Sequence, residues 1–371
     1  MFALYIILAI LILLLMVTIH EFGHYVAGRI LGFKINEFSI GFGPAILQRT
    51  NKRGEKISLR IFPLGGYCAF EGETDGEAPQ KPKKEIDVFS EKEEKALEVQ
   101  ENKADKIQLT FNEQKPWKRI IVLLSGAVFN IISGFLFSII FIAVIGNSLP
   151  VVGGVYDTQN AGIINKNDVI IAVNNEDISI LNNLSSLMQD VKVNEEFVLT
   201  VLRDGVKTDL RLKKVEYTYL DKNKNEQKVI GIGILTENYV RQGYNIIESI
   251  GYAFPFTLKM AGAILSAFGG LFRGIGLNQL SGPISTVTEM AKLSQASILN
   301  TLILLPLIAV NLGIFNLFPI PALDGSKIIF TLIEWIRKKP INRNIENIIH
   351  FVGFVLLLGS IILIDLLRFI Q

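Results

Sequence analysis

The sequence predicts a polytopic α-helical membrane protein with four transmembrane helices, a membrane-associated β-hairpin and one α/β domain outside the membrane. Half of its 371 residues are hydrophobic and the mean hydropathy is +0.40, which is too apolar for an ordinary soluble protein. Four apolar stretches are long enough to cross a bilayer. They are Phe2 to about Tyr25, Ile120 to Ile145, Ile298 to Leu323 and about Ile349 to Leu367.

The first predicted segment, 1–32, is a span that ends in His20-Glu21-Phe22-Gly23-His24. HExxH on a helix places two imidazoles one turn apart on one face, the spacing that two ligands of one tetrahedral Zn²⁺ need. Glu21 can then act as a general base toward water at the metal. The alternative is a chance pattern at a helix end, but ionisable groups at the edge of a span are costly and indicate function.

The apolar run of this segment could also be read as a signal peptide. No Lys or Arg precedes it, no A-x-A-like cleavage site follows it, and HExxH comes next. We therefore expect an uncleaved membrane helix.

Segment 33–70 predicts a β-hairpin, because two strand-like runs flank the turn-forming residues Thr50 to Gly54. The alternatives are a hairpin that enters the membrane and a plain cytoplasmic one. Segment 71–116 begins with a run, 71–107, of mainly Glu, Lys, Asp and Pro, which predicts a solvated cytoplasmic insert. Cys68 is the single cysteine, so an intrachain disulfide and a cysteine-rich zinc site are excluded.

Segment 117–146 predicts the second span, in which Ser125-Gly126 and Ser133-Gly134 allow close contact between helices. Asn130 between these pairs can form a hydrogen bond to a neighbouring helix. Segment 147–240 predicts a small α/β domain with a helix near Ile180–Gln189. Its strand-like runs are Val151–Tyr156, Val169–Asn174, Phe197–Arg203 and Thr208–Lys213.

Segment 241–297 contains a further long apolar stretch, Gly251 to Phe272, which is interrupted by Pro255 and Lys259. We expect this helical region to lie in the membrane interface. The alternative is a fifth span, which would invert the span after it and place Asp324 on the face opposite His20.

Basic residues that flank the four spans predict two cytoplasmic connections, one between the first and second spans and one between the third and fourth. Both termini are then expected outside. These basic residues are Arg29, Lys34, Lys115, Lys118, Arg119, Lys327, Arg337, Lys338, Lys339 and Arg343. The third span, in segment 298–328, therefore descends to the depth of HExxH. A cytoplasmic connection, 329–348, and the fourth span, in 349–371, follow it. We expect His350 to be an interfacial side chain and not a ligand.

The end of the third span runs from Asn316 to Gly325 and contains Pro319, Pro321 and Asp324. Two prolines two residues apart unwind a helix and free its carbonyls. Irregular backbone at membrane depth occurs only where protein or a wet cavity surrounds it. Asp324 at this depth can complete a His/His/Asp site with water in the fourth position. The alternative is an ordinary turn aspartate before glycine.

HEFGH in the first span, together with Asn316-x-x-Pro319-x-Pro321-x-x-Asp324-Gly325 in the third, resembles the site-2 proteases and, among them, the bacterial regulator-of-sigma-E proteases. Segments 111–115 and 277–285 also match this family. The resemblance implies that His20, His24 and Asp324 bind Zn²⁺ and that Glu21 is catalytic. It also implies contacts to the substrate, which we assign to Asn316, Asn130, Gly43 and Gly65; for Asn130, a purely structural contact between helices is the alternative.

Two further parts of the chain resemble modules of this family. Residues 41–44 and 63–67 are similar to a β-loop that re-enters the membrane beside the active site, whose free edge can pair with an extended substrate. Residues 160–163 and 167–174 resemble a circularly permuted PDZ domain. Asn167 and Asn175 stand where glycine is usual, and asparagine tolerates the positive-φ turn expected there.

The resemblance implies a zinc-dependent endopeptidase of the bacterial cytoplasmic membrane that cuts within the span of a single-pass protein after a first cut outside. An anti-sigma factor and remnant signal peptides are the substrates it suggests. The PDZ-like domain would be extracytoplasmic and the active site near the cytoplasmic side, and we expect a monomer in the lipid bilayer. The net charge of +2 gives no indication of nucleic-acid binding.

Two other functions are weighed against this one. The first is a catalytically inactive, membrane-tethered PDZ scaffold whose metal site is structural or lost. The second is a small-molecule transporter, which the lack of paired inverted repeats in the sequence disfavours.

Overall fold

The computed structural model describes residues 2–73, 109–220, 226–271, 273–275 and 281–370. Most of the insert predicted at 71–107, and residues 277–280 of one family motif, lie outside these ranges. The chain forms two compact units. The first unit comprises Met1–Gly134 and Ala261–Gln371, and the second unit comprises Phe135–Met260.

Eight α-helices occur in the described ranges. They are α1 (Phe2–Leu31), α2 (Pro116–Ile145), α3 (Leu184–Leu187), α4 (Ile246–Leu271), α5 (Pro283–Ala296), α6 (Asn300–Asn316), α7 (Asp324–Arg337) and α8 (Arg343–Ile370). By length and composition, α1, α2, α4 and α8 can each cross a membrane. Three of these four coincide with predicted spans, as expected for a membrane protein.

The third predicted span, 298–323, is not one continuous helix. Helix α6 ends at Asn316 after 17 residues, residues 317–323 are irregular, and Asp324 begins the separate helix α7. Pro319 and Pro321 explain the break, because neither can donate a helical hydrogen bond and each clashes with the preceding turn. Helix α4, in contrast, has 26 residues and the length of a span. The placement of α4 in the membrane interface stays a prediction. The membrane face on which Asp324 lies depends on it and stays a prediction too.

Aromatic side chains pack the first unit around the C-terminal half of α1. Phe33, Phe70 and Phe111 form a cluster with ring centroids 5.3 to 5.8 Å apart. The ring of Phe70 fills the space where a side chain at Gly28 would lie. Cys68 belongs to the same core as a buried free thiol. This core holds the neighbouring sheet against the helix that carries HExxH.

That sheet is built from β1 (Ile35–Thr50) and β2 (Lys56–Phe70), and it is more than the single hairpin predicted. Residues 45–50 pair antiparallel with 56–60, and 35–40 pair antiparallel with 66–70. In addition, 37–40 pair with 56–59 with the residue numbers rising together, which is a parallel register. Four rows result, in the order 45–50, 56–60, 35–40 and 66–70, with 66–70 at one edge.

The fold-back within β1 depends on two glycines and one arginine. Gly41 and Gly43 both have φ of +85°, a conformation that L-residues with a Cβ disfavour. The guanidinium of Arg60 donates to the carbonyl of Gly43 at 2.5 Å, to Ser39 Oγ at 2.9 Å and to Glu37 at 2.7 Å. It thereby connects the glycine loop to the row 35–40.

The second unit contains the strands predicted for 147–240. The predicted runs correspond to β3 (Asn147–Val155), β4 (Val169–Val173), β6 (Glu196–Arg203) and β7 (Val206–Lys213). The unit also contains β5 (Glu176–Asp177), β8 (Val215–Leu220), β9 (Glu226–Gly231) and β10 (Ile234–Gln242). The main sheet has the order β10-β3-β4-β6-β7, with β5 paired to β4. The β8–β9 hairpin was not predicted, and the helix expected at 180–189 is only the four-residue α3.

The turns of this unit agree with the interpretation of its asparagines. Asn167 and Asn175 have φ of 72° and 65°, so both adopt the positive-φ conformation predicted for them. The assignment of the unit as a PDZ domain itself stays a prediction.

Candidate metal centre

Helix α1 places His20 and His24 one turn apart, facing the first residue of α7. Nε2 of His20 lies 2.9 Å from Oδ2 of Asp324, and Nε2 of His24 lies 3.1 Å from the same oxygen. The two Nε2 atoms are 3.2 Å apart. Both histidines are buried, with 6% and 7% of their surface exposed. The three side chains predicted as ligands thus converge on one point.

This arrangement fits a zinc ion. Two imidazole nitrogens and one carboxylate oxygen are donors that Zn²⁺ accepts, and a tetrahedral ion with bonds of about 2.0–2.1 Å separates its donors by about 3.3 Å. The observed separations of 2.9 to 3.2 Å need only a small outward shift of each donor. Three protein donors leave the fourth position for water or substrate, as in catalytic zinc sites.

A strained loop delivers Asp324 to this point. Ala322 has φ of 80°, which costs a residue with a Cβ about 1–2 kcal/mol. Its N–H donates to Nδ1 of His350 at 3.0 Å. A Cβ on Gly325 would overlap the carbonyl oxygens of Leu317 and Phe318, so glycine after Asp324 lets the loop fold back on itself.

Helix α7 is fixed at its other end by a buried ion network. Glu334 accepts from Arg119 of α2 at 2.6 Å, and both side chains are about nineteen-twentieths buried. Arg343, at the start of α8, approaches Glu334 at 2.9 Å. Since a buried carboxylate is stable only when it is paired, this network holds α7 between α2 and α8 and so limits the positions available to Asp324.

Helix α2 contributes three positions that are one turn apart on one face. The carbonyl of Val122 accepts a hydrogen bond from Nδ1 of His24 at 2.8 Å. A Cβ at Gly126 would lie 2.5 Å from His24 Nε2 and 2.8 Å from His20 Nε2. Nδ2 of Asn130 lies 3.2 Å from Nδ1 of His20. The face of α2 therefore touches both imidazoles and leaves room between them.

Glu21 lies beside the edge row of the sheet. A Cβ at Gly66 would be 3.5 Å from Glu21 Cγ and 2.8 Å from the carbonyl oxygen of Ser39. Glycine at this position allows the strand backbone to approach the glutamate of HExxH. The edge row and the glutamate of HExxH therefore lie close together.

The other residues predicted to contact substrate have contacts of their own. Asn316 Nδ2 donates to the carbonyl of Leu312 in its own helix at 3.0 Å. The carbonyl of Gly43 is bound by Arg60. Gly65 has φ of 120°, and the ring of Phe42 occupies the space of a side chain there. Their roles toward a substrate stay predictions.

The contacts of four residues near the centre could not be predicted from the sequence. Gly126 and Gly66 carry no signal beyond being small. His350 accepts a hydrogen bond from the loop before Asp324, and its interfacial position stays a prediction. Lys327, one turn after Asp324, forms an ion pair with Glu73 at 2.7 Å. The HExxH face and the Asp324 loop are local signals, whereas these contacts depend on tertiary packing.

Comparison with known proteins bears on this geometry. The profile of peptidase family M50 matches residues 8–360. A protein of Brucella suis named as a candidate zinc metalloprotease is 30% identical over 364 residues, which cover 94% of this chain and 90% of the relative. A similarly named protein of Fusobacterium nucleatum is 27% identical and covers 96% of both chains. The candidate protease Eep of Enterococcus faecalis is 27% identical over 421 residues, with 96% and 97% covered.

Proposed function

This chain belongs to peptidase family M50, the site-2 proteases, and we propose on that premise that it cuts single-pass membrane proteins within their transmembrane segment, after a first cut outside. It is a membrane metalloprotease. The observation that carries the finer proposal is the convergence of His20, His24 and Asp324 within 3.2 Å of one another on helices of a membrane protein.

His20, His24 and Asp324 would hold the metal, which we propose is Zn²⁺. When bound, the ion would polarise the peptide carbonyl and make water a better nucleophile near neutral pH. Glu21, on the turn between the two histidines, accepts the proton of that water and passes it to the leaving amine. Val122 holds His24 with Nε2 toward the centre, because its carbonyl accepts the proton on Nδ1.

The substrate would be held as an added strand. A transmembrane helix hides its peptide groups in i to i−4 hydrogen bonds, so the bond to be cut must first become extended. The row 66–70 is at an edge of the sheet and approaches Glu21 at Gly66. An extended segment paired to this row would bring its carbonyls toward the centre. Asn316, Gly43 and Gly65 are our candidates for contacts to that segment, whereas Asn130 is 0% exposed and contacts His20.

The second unit and the cellular setting complete the proposal. We assign the second unit as a PDZ-like extracytoplasmic domain that admits only substrates whose outer part has been removed. The chain would act as a monomer in the bacterial cytoplasmic membrane, with its active site near the cytoplasmic side. An anti-sigma factor or a remnant signal peptide has the required single span.

The test compares wild type with Glu21→Gln, both purified in detergent. We expect one zinc ion per chain in each, cleavage of tagged single-span peptides by wild type, and cleavage at least about 100-fold slower in the variant. Glu289→Gln is the matched control, since Glu289 is exposed and forms an ion pair with the exposed Lys292 on α5. Chains without zinc, or equal cleavage by wild type and Glu21→Gln, would overturn the proposal; zinc-loaded wild type that cleaves none of the peptides would also overturn it and would leave the inactive scaffold to be tested.

A further inference from the structure

Asn130 is the most deeply buried polar side chain at the metal centre, and one end of its amide has no hydrogen-bond partner among the described residues. The residue is 0% exposed. Its Nδ2 faces Nδ1 of His20 at 3.2 Å, whereas its Oδ1 is buried and receives no hydrogen bond from any residue that the structure describes. A buried amide oxygen with no donor is costly. The question is therefore which end of the amide faces His20.

The geometry of His20 decides which ring nitrogen can bind the metal. Its Nε2 points to Asp324 and to Nε2 of His24, so Nε2 is the atom available as a ligand. A neutral imidazole that binds a metal through Nε2 carries its proton on Nδ1 and must donate it. An amide nitrogen cannot accept that proton, because it is itself only a donor.

A half-turn of the amide removes this conflict. The two ends of an asparagine amide have almost the same shape, so exchanging them leaves the packing unaltered. Oδ1 would then accept the proton from Nδ1 of His20. No residue in the described ranges donates a hydrogen bond to Oδ1 in its present place, so the exchange breaks no hydrogen bond on that side.

We propose that Asn130 is a positioning residue that presents its amide oxygen to Nδ1 of His20 and so holds this imidazole in the tautomer that leaves Nε2 for the metal. One face of helix α2 then provides a hydrogen-bond acceptor for each of the two histidines. The carbonyl of Val122 accepts from His24, the amide of Asn130 accepts from His20, and Gly126, midway between them, leaves the space for the ion. Asn130 acts through His20 and needs no contact with the substrate. The inference rests on the zinc site of the proposed function.

The test is a zinc titration of full-length chains in detergent against a competing chelator. We expect Asn130→Leu, which has a similar size but no acceptor, to bind zinc about 10–100-fold more weakly. Asn130→Asp supplies acceptor oxygens and no donor, so its affinity should stay within about threefold of wild type. Ser133→Ala, a buried polar residue one turn along α2 that donates to the Asn130 carbonyl, should match wild type.

Cobalt provides a second readout that a merely structural role would not change. The visible absorption bands of the Co²⁺-loaded chain should be altered in Asn130→Leu and retained in Asn130→Asp, because they report ligand geometry.

If Asn130→Leu does not fold, Asn130→Ala takes its place with the same expected loss of zinc affinity. Wild-type zinc affinity in the Leu or Ala variant would overturn the inference, and a raised KM with unchanged affinity would assign Asn130 to the substrate instead. A loss of affinity in Asn130→Asp as large as in Asn130→Leu would also overturn it. Wild type that binds no zinc would overturn the metal site itself.

Discussion

The second unit and the metal centre maintain their shapes by different means. In the second unit, apolar side chains from several strands fill one interior, and Ile170, Leu199 and Val201 are all 0% exposed. At the metal centre, α1 and α2 approach each other through glycines. A Cβ on Gly23 would lie 2.6 Å from the carbonyl oxygen of Ser125. Between these backbones lie the imidazoles, Asn130 and the Asp324 carboxylate.

The difference concerns what a small change in side chain can do. A core of many weak contacts loses free energy of unfolding in proportion to the apolar volume removed. A centre made of a few polar atoms at defined separations loses function when one atom is displaced by about 1 Å, even if the fold is unchanged. We therefore expect substitutions in the second unit to alter stability first, and those at the centre to alter metal binding first.

The largest effect is expected for Gly126→Ala. The added methyl group would lie 2.5 Å from His24 Nε2 and 2.7 Å from His20 Cε1, a distance at which something must move. Loss of the metal removes both carbonyl polarisation and water activation, so we expect peptide cleavage to fall at least about 1,000-fold. Zinc per chain and the initial rate on a single-span peptide measure this.

The control for that substitution is Gly359→Ala, in α8, where no atom of a described residue lies within 4 Å of the new Cβ. It should retain zinc and activity, since alanine is the better helix former. Wild-type zinc content in Gly126→Ala would show that α1 and α2 can separate at little cost, and the contrast between the two regions would then fail.

The next effect is expected for Leu199→Ala in the second unit. Leu199 lies at the centre of β6, and its removal leaves a cavity that costs about 3 kcal/mol. Hydrogen exchange of the β6 and β7 amides in the full chain measures the change, and zinc per chain should stay that of wild type. Val206→Ala, at a side chain that is 64% exposed, is the control and should alter exchange little. Loss of zinc in Leu199→Ala would argue against separate control of stability and metal binding.

Much of the centre could be predicted from local sequence because its ligands follow local rules. HExxH needs only a helix, and the break before Asp324 needs only Pro319 and Pro321. The parallel pairing of 37–40 with 56–59 could not be predicted, since an alternating pattern identifies strands and not their partners. The same limit hid Gly126, whose importance lies in the imidazoles opposite it, and the contact between His350 and the Ala322 N–H.

Asp168 is a charged group in the second unit that is held by a few polar contacts, as the side chains of the metal centre are, and not by apolar packing. The Asp168 side chain is 1% exposed and receives Arg203 at 2.7 and 2.8 Å and the N–H of Asn165 at 2.8 Å. Burial alone would raise the pKa of Asp168, but these hydrogen bonds and the charge of Arg203 lower it below its ordinary value. The ionised form therefore stabilises the folded unit.

We expect Asp168→Asn to cost about 2 kcal/mol, the usual value of a hydrogen bond to a charged group. Because the folded-state pKa lies below that of the unfolded chain, this stabilisation is complete at neutral pH. It begins to decline near pH 4 and is lost as the pH falls through the folded-state pKa. Exchange of the β4 amides, measured at pH 7 and pH 4, should differ between variant and wild type by more at pH 7. Asp209→Asn, at an exposed position of β7, is the control, and an Asp168→Asn difference that does not shrink on acidification would contradict the role of its charge.

The smallest effect is expected where the two regions differ in backbone strain. In the second unit, the residues other than glycine with positive φ are asparagines and one aspartate, which tolerate it. In the first unit, Ala322 has φ of 80° two residues before Asp324. Strain of this kind persists only where surrounding contacts enforce it, and here the hydrogen bond to His350 and the two prolines do so.

Ala322→Gly should raise the free energy of unfolding by about 0.5–1 kcal/mol, because relief of the left-handed Cβ strain exceeds the added freedom of the unfolded chain. It should also weaken zinc affinity by about two- to threefold, since glycine gives Asp324 more positions. Ala263→Gly, at an exposed position inside α4, should instead destabilise by about 1 kcal/mol. Thermal unfolding and zinc titration of both variants measure these opposite signs. A stability loss in Ala322→Gly equal to that of Ala263→Gly would mean that the loop stores no strain, and that the position of Asp324 is set by the ion network on α7 alone.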